Sequence, residues 1–283
     1  MIFLKQFGSE LRKLFGRRRT YVGYGVFLVF ELILLITFQL QGVKERQMEF
    51  MEQNGLAADE YFSSLTVTFM VMAFSLFLLG SIYFALVSGD IVAKEVEDGN
   101  MRMVLARPVS RFRVLLLKFL AVCLYTITFV IFVGITGYAM AVVALGADGG
   151  MLAFSPKMKL FAVYPEWGPA MLRLAVAALL IGVSMCTISA VGFFFSCLKM
   201  KPATATIMAL SVLFLDMVLQ EFPIFKPYEA NFVTYKMSTW LYAFEAPHFP
   251  WAKLADNFSF LIGLDLTLFA IGCVVFQLRD FKT

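Results

Sequence analysis

The residues best placed to do chemistry lie in one charged interruption of an oily chain. It reads E-V-E-D-G-N-M-R-M-V-L-A-R-P-V-S-R, from Glu95 to Arg111. After the acidic KEVEDGN, residues Met101, Val104, Leu105 and Pro108 follow the i, i+3, i+4, i+7 spacing of one helix face. Asn100 is placed to cap that helix, and Asp98 precedes it where negative charge suits the positive end of the dipole. Pro108 disfavours helix at the residue before it, so the element is short. Arg107, Arg111 and Arg113 follow. The chemistry of such a segment is recognition: apolar contacts hold a soluble partner and the flanking charges set its orientation. The plainer alternative is a loop whose charges satisfy membrane topology.

Three acids stand inside apolar runs: Glu31, Asp216 and Asp265. An acid at the centre of a membrane helix costs about 2.5–3.5 kcal/mol on insertion scales, so each needs a reason. No Lys or Arg lies deep within a run to pair with them. They are expected to face a pathway through the membrane or an interface between two membrane subunits. Structural hydrogen bonding is the competing reading, and for Asp216 so is reaching the outer interface beside Gln220.

Other chemistries have little to build from. His248 is the only histidine, in a Pro-rich stretch without an HExxH pattern or a cysteine partner, so no metal site is expected. Cys123, Cys186, Cys197 and Cys273 fall in apolar runs and read as small buried hydrophobes. No G-x-x-x-x-G-K-[ST] loop or G-x-S-x-G elbow occurs. No catalytic residue is expected, and any nucleotide energy must be bound by another chain.

These residues are positioned by membrane helices. Of 283 residues, 60% are hydrophobic and 16% charged, and the mean hydropathy is +0.81. A soluble domain would be about half apolar and about a quarter charged. Six runs reach the roughly 20 residues that cross a bilayer: 20–41, 65–88, 114–145, 169–198, 202–219 and 257–278. The expected fold is an all-α integral membrane protein with six transmembrane helices, forming a single domain over 1–283. Sixteen of the 24 Lys and Arg then fall on one side if every run spans and the N-terminus is cytoplasmic. Both termini are therefore expected in the cytoplasm. The net charge of +4 reports topology rather than nucleic-acid binding.

Residues 1–19 carry Phe3, Phe7, Leu11, Leu14 and Phe15 at helical spacing, with Lys5, Glu10, Arg12, Lys13 and Arg17 assigned to the other side. They predict an interfacial amphipathic helix beside lipid headgroups rather than a cleaved signal peptide. On the outer side, 41–64 is an acidic connection, partly helical, and 147–168 a Gly- and Pro-containing loop. Residues 220–256 form an aromatic loop of short helices anchored at the outer interface. The 32 Phe are expected mainly to pack against lipid.

The charged stretch, followed by LLLKFL, resembles the signature of the type-2 ABC transporter permease family. The matching positions are Glu95 and Glu97, Gly99, Val104 and Leu105, Pro108, Arg111 and Lys118. Asn100 stands where Thr is usual and Met101 where Leu is usual. The amphipathic start, the six-span layout, the long outer loop before the last span and the ending FQLRDF also resemble that family. The resemblance implies a coupling helix over 95–111 that docks in a cleft of a separate ATP-binding subunit. Two copies of that subunit would bind ATP and Mg, and this chain would hold no cofactor. It further implies pairing with a second permease copy or a related permease in the bacterial cytoplasmic (inner) membrane. The function expected is that of the permease subunit of an ABC exporter, not itself an enzyme. The alternatives are an ABC-type scaffold or mechanical signalling subunit that transports nothing, and a membrane-embedded enzyme. The scattered acids and single histidine argue against the last.

Overall fold

The computed structural model describes residues 2–105, 109–245 and 248–279. Among the described residues six helices are long and apolar enough to cross a membrane, and the protein is an all-α membrane protein with one small hairpin added.

The chain begins with α1 (Ile2–Phe15), then the first span α2 (Arg18–Gln39). Two short helices follow, α3 (Gln41–Gln53) and α4 (Ala58–Tyr61). The second span runs from Ser64 to Glu97 as α5 (Ser64–Ser75), a π-turn (Leu76–Gly80) and α6 (Ser81–Glu97). Helix α7 (Asn100–Leu105) leads to the third span, α8 (Arg111–Leu145). Ser110 caps α8 by accepting from the Arg113 amide at 3.3 Å, meeting one of the donors a helix start leaves open.

Strands β1 (Met151–Ser155) and β2 (Leu160–Tyr164) pair antiparallel, Met151 opposite Tyr164. The sequence predicts only a loop here. The hairpin is held by span residues: the Thr66 hydroxyl accepts from the Leu152 amide at 2.9 Å, and Ser63 bonds the Gly150 carbonyl. The fourth span is α9 (Trp167–Cys197) and the fifth α10 (Pro202–Glu221). Pro202 stands in the first turn of α10, where its missing N–H costs nothing. The aromatic loop then folds as a 3₁₀ segment (Pro223–Asn231), α11 (Val233–Met237) and a second 3₁₀ segment (Ser238–Phe244). The last span is α12 (Trp251–Leu278).

Helix α9 is the hub, packing on α6, α8 and α12; 67% of its most apolar stretch is buried, against 17% for α10. The contact with α6 is close because Gly192 faces Ser88, where a Cβ would fall 2.0 Å from the serine oxygen. Ser196 reinforces it, its hydroxyl accepting from the Val92 and Ala93 amides at 3.0 and 2.8 Å.

Phenylalanine is used inside as much as towards lipid, a correction to the expectation. Phe27, Phe84, Phe129, Phe193, Phe244 and Phe276 are among the largest fully buried side chains. Phe129 joins the rings of Tyr24, Phe27, Tyr83 and Phe84 into one cluster across the first three spans. Such edge and tilted contacts add roughly 0.5–1.5 kcal/mol each beyond burial.

Candidate functional site

The charged stretch divides between two elements. Glu95 and Glu97 are not in a loop: they form the last turn of α6, which runs past the apolar segment. Asp98 closes that helix, and Gly99 makes the turn to α7 with φ +74°. A Cβ at Gly99 would meet nothing within 4 Å, so backbone conformation, not space, asks for glycine there. Asn100 is the first residue of α7 rather than a residue outside it. Among the described side chains of this corner, Glu97, Asp98, Asn100 and Met103 are exposed, the last 66%. Two acids, an amide and one large apolar side chain are thus presented together.

Several residues expected to face a partner face inward. Met101 is fully buried in the main core. Arg111 points to the far end of the chain: its guanidinium donates to the Gln277 and Arg279 carbonyls at 3.1 and 2.9 Å, where the end of α12 presents unpaired acceptors. Glu95 is buried, and its Oε1 lies 2.8 Å from Lys118 Nζ. Pro108 and the side chains of Val104 and Leu105 lie outside the described residues.

Lys118 is the centre of a cluster drawn from three separate parts of the sequence. Its ammonium, 1% exposed, also contacts Glu10 Oε2 of α1 at 2.8 Å. Lys13 approaches Glu10 Oε1 at 2.6 Å and Glu95 Oε1 at 3.7 Å. Two lysines and two glutamates thus balance their charges where α1, the end of α6 and the start of α8 meet. Burial works against ionised Glu10, but the Lys118 and Lys13 ammonium groups outweigh it and hold its carboxyl below the usual range. Burial likewise opposes the charge on Lys13, and Glu10 with Glu95 outweighs it, so Lys13 is raised. A second pair, Arg19 with Asp90, ties the start of α2 to α6 one turn further in.

A signal for this cluster was present in the sequence. Glu10 follows Phe7 by three residues and precedes Leu14 by four, which puts it on the apolar stripe of α1 rather than opposite it. A lone acid on such a stripe asks for a buried cation, and α1 indeed packs on α8.

The three acids of the apolar runs part company. Asp216 is a pin for the aromatic loop. Its carboxylate accepts from the Val233 amide (3.2 Å), the Thr234 amide (2.8 Å) and the Thr234 hydroxyl (2.7 Å), capping α11 from another helix. Glu31 is 1% exposed within this one chain and bonds Thr136 of α8 at 2.8 Å. Asp265 is buried on α12 beside Thr187 and Cys186 of α9. Neither opens onto the surface of the chain. Among the described residues no group of three or more His, Cys, Asp or Glu is gathered to hold a metal ion.

At the opposite end of the bundle the loops form a folded layer. Arg173 of α9 is buried between the rings of Tyr164 and Phe249, 4.8 and 4.4 Å from their centroids. It donates to the Ala243 and Glu245 carbonyls at 2.7 and 2.9 Å. A cleft of about 310 Å³ opens between α3, β1 and the second span, lined by Val43, Arg46, Phe50, Met70, Leu152 and Phe154.

Compared with known proteins, the chain matches the family described as "Protein of unknown function (DUF2705)" over residues 27–226, and it belongs to that family. The match runs from the first span into the aromatic loop and includes the charged corner. No curated protein matches the chain.

Proposed function

We propose that this member of the DUF2705 family is the transmembrane permease subunit of an ATP-driven ABC exporter. The observation that carries the reading is the corner of Glu97, Asp98, Asn100 and Met103, exposed between two long spans and braced from behind by the Glu95–Lys118–Glu10 cluster. An exposed apolar side chain among acids suits a partner surface with an apolar cleft and a basic rim. The bracing suits a part that must transmit force: a push on α7 reaches α6, α8 and α1 together, and passes to α9 through Gly192 and Ser196. In this reading the corner is cytoplasmic, the membrane is the bacterial inner one, and a second permease and two ATP-binding subunits complete the assembly. The resemblance supplies the ATPase and the export direction.

The folded outer layer favours a second reading, in which the assembly signals mechanically to an extracytoplasmic partner without moving a substrate. Only a transport assay separates the two.

The first test is affinity purification of the chain from native membranes with quantitative mass spectrometry, beside a Glu97→Lys/Met103→Glu variant. Both substitutions are on the exposed corner and leave the buried cluster untouched. A P-loop ATPase recovered near one-to-one with the parent and lost with the variant supports the reading. Absence of any ATPase, under conditions that preserve a known complex, rejects it.

A further inference from the structure

Glu31 lies near the middle of α2, enclosed where α2 meets the second and third spans. Its Oε2 is 2.8 Å from the Thr136 hydroxyl oxygen, and its Oε1 is buried without a hydrogen-bond partner. The same Thr136 oxygen is 2.9 Å from the Phe132 carbonyl, the acceptor that a threonine in a helix ordinarily bonds.

Counting protons decides between the two states of the carboxyl. A threonine hydroxyl has one proton. If Glu31 is a carboxylate, that proton must turn to Oε2 and abandon Phe132. Oε1, carrying half the charge, then remains without a donor in hydrocarbon. If Glu31 is the neutral acid, its O–H donates to Thr136, and Thr136 donates to Phe132. Each proton is used once, no charge is buried, and the unpartnered atom is an ordinary carbonyl oxygen, far less costly to desolvate than an anion.

Among the described residues no Lys or Arg is paired with this carboxyl. The Glu31 carboxyl contacts the Thr136 hydroxyl, and among the described residues no ion pair reaches it. On α2 the nearest charges are Arg18 and Arg19 at its start, with Arg19 already paired to Asp90. Lys44 and Glu45 lie beyond its other end, on α3. The second span brings Tyr83, Asp90 and Lys94, and α8 brings Lys118, Tyr125 and Tyr138. Of these, Lys118 is held by Glu10 and Glu95, and Tyr83 and Tyr125 bond each other at 2.5 Å.

We propose that Glu31 is a proton-binding site, loaded in this conformation, with the relay from Glu31 through Thr136 to the Phe132 carbonyl locking the first span to the third. The ligand is the proton itself. It exchanges only when α2 parts from α8 and water reaches the carboxyl, so loading and release follow the closing and opening of that seam. The proposal stands apart from the ATPase reading, since it rests on contacts within this chain.

The test is infrared spectroscopy of the full-length chain in lipid nanodiscs at neutral pH, with glutamate carbon-13 labelled at its side-chain carboxyl. The parent should show a labelled carboxylic acid C=O band that Glu31→Gln removes. Loss of carboxylate bands instead would overturn the proposal. Thr136→Val keeps the carboxyl and serves if Glu31→Gln does not fold: the acid band should persist at higher frequency, having lost its acceptor. An unchanged frequency would overturn the relay. Spectra in sodium and in potassium buffer should coincide, and loss of the acid band in sodium alone would show a metal-cation site in place of a proton site.

Discussion

Glu95 and Lys118 flank the charged corner in sequence, yet Glu95 Oε1 and Lys118 Nζ stand 2.8 Å apart. Their contact closes the base of the segment between α6 and α8, and Glu10 adds the N-terminal helix to the same ammonium. The corner is thereby seated on three helices at once.

Replacing Lys118 with Met leaves the Glu10 and Glu95 carboxylates without their buried cation, with only the partly exposed Lys13 beside them. Removing one partner of a buried pair costs about 3–5 kcal/mol, most of it from the stranded charge. The unfolding midpoint in detergent should therefore fall steeply for Lys118→Met. It should recover in the triple variant with Glu10→Gln and Glu95→Gln, and a triple variant no more stable than the single would argue against the cluster.

The seating of α1 should depend on pH at its extremes. Glu10 is depressed below its ordinary 4.5, so its contribution is present above the unfolded value and disappears as pH falls through the folded one. Lys13 is raised above 10.5, so its contribution is present below that value and disappears as pH rises through the folded one. Spin labels at Ser9 and Leu120, in a cysteine-free background, should report a constant short distance between these limits and a longer one in acid. A distance that changes near neutrality would mean another group controls the contact.

Much of this was legible in advance and some was not. Six spans follow from the length of hydrocarbon they must cross, which is a one-dimensional property of the chain. The true end of the second span did not: Asp90 and Glu95 read as loop because their partners, Arg19 and Lys118, come from distant positions. Sequence alone predicts Met101 and Arg111 outward for the same reason. The hairpin has no Asn-Gly turn to announce it, and its strands are stabilised by Ser63 and Thr66 of another element. Asp216 was noticed as costly, but its donors on α11 could be found only in three dimensions.

Gly192→Ala should force α9 away from α6, because the added methyl meets the serine oxygen at 2.0 Å and the Ala85 carbonyl at 3.2 Å. Overpacking of this kind costs about 1–3 kcal/mol. Adding Ser88→Ala removes the nearest obstacle, so the double variant should recover part of the lost unfolding midpoint. A single variant as stable as the parent would show that the two helices are not in close contact.

Asp216→Ala should loosen the aromatic loop without unseating the spans. Removing a capping acceptor costs about 0.5–2 kcal/mol. Limited proteolysis should then cut within 222–245 faster than in the parent, while Asp216→Asn, which retains an acceptor oxygen, should fall between. Equal cleavage rates in all three would show that the loop is held by other contacts.

The π-turn at Leu76–Gly80 acts as a phase shifter. One surplus residue in a helix advances everything after it by roughly 100°. Ser64–Ser75 can therefore present one face to α8 and the hairpin while Tyr83 meets Phe27 and Tyr125, Asp90 meets Arg19, and Glu95 meets Lys118 and Lys13. Deleting a single residue there would keep the span long and oily, and hydropathy would scarcely register it. Yet Tyr83, Asp90 and Glu95 would all swing off their partners in step. The span is a combination whose two halves agree only at one setting.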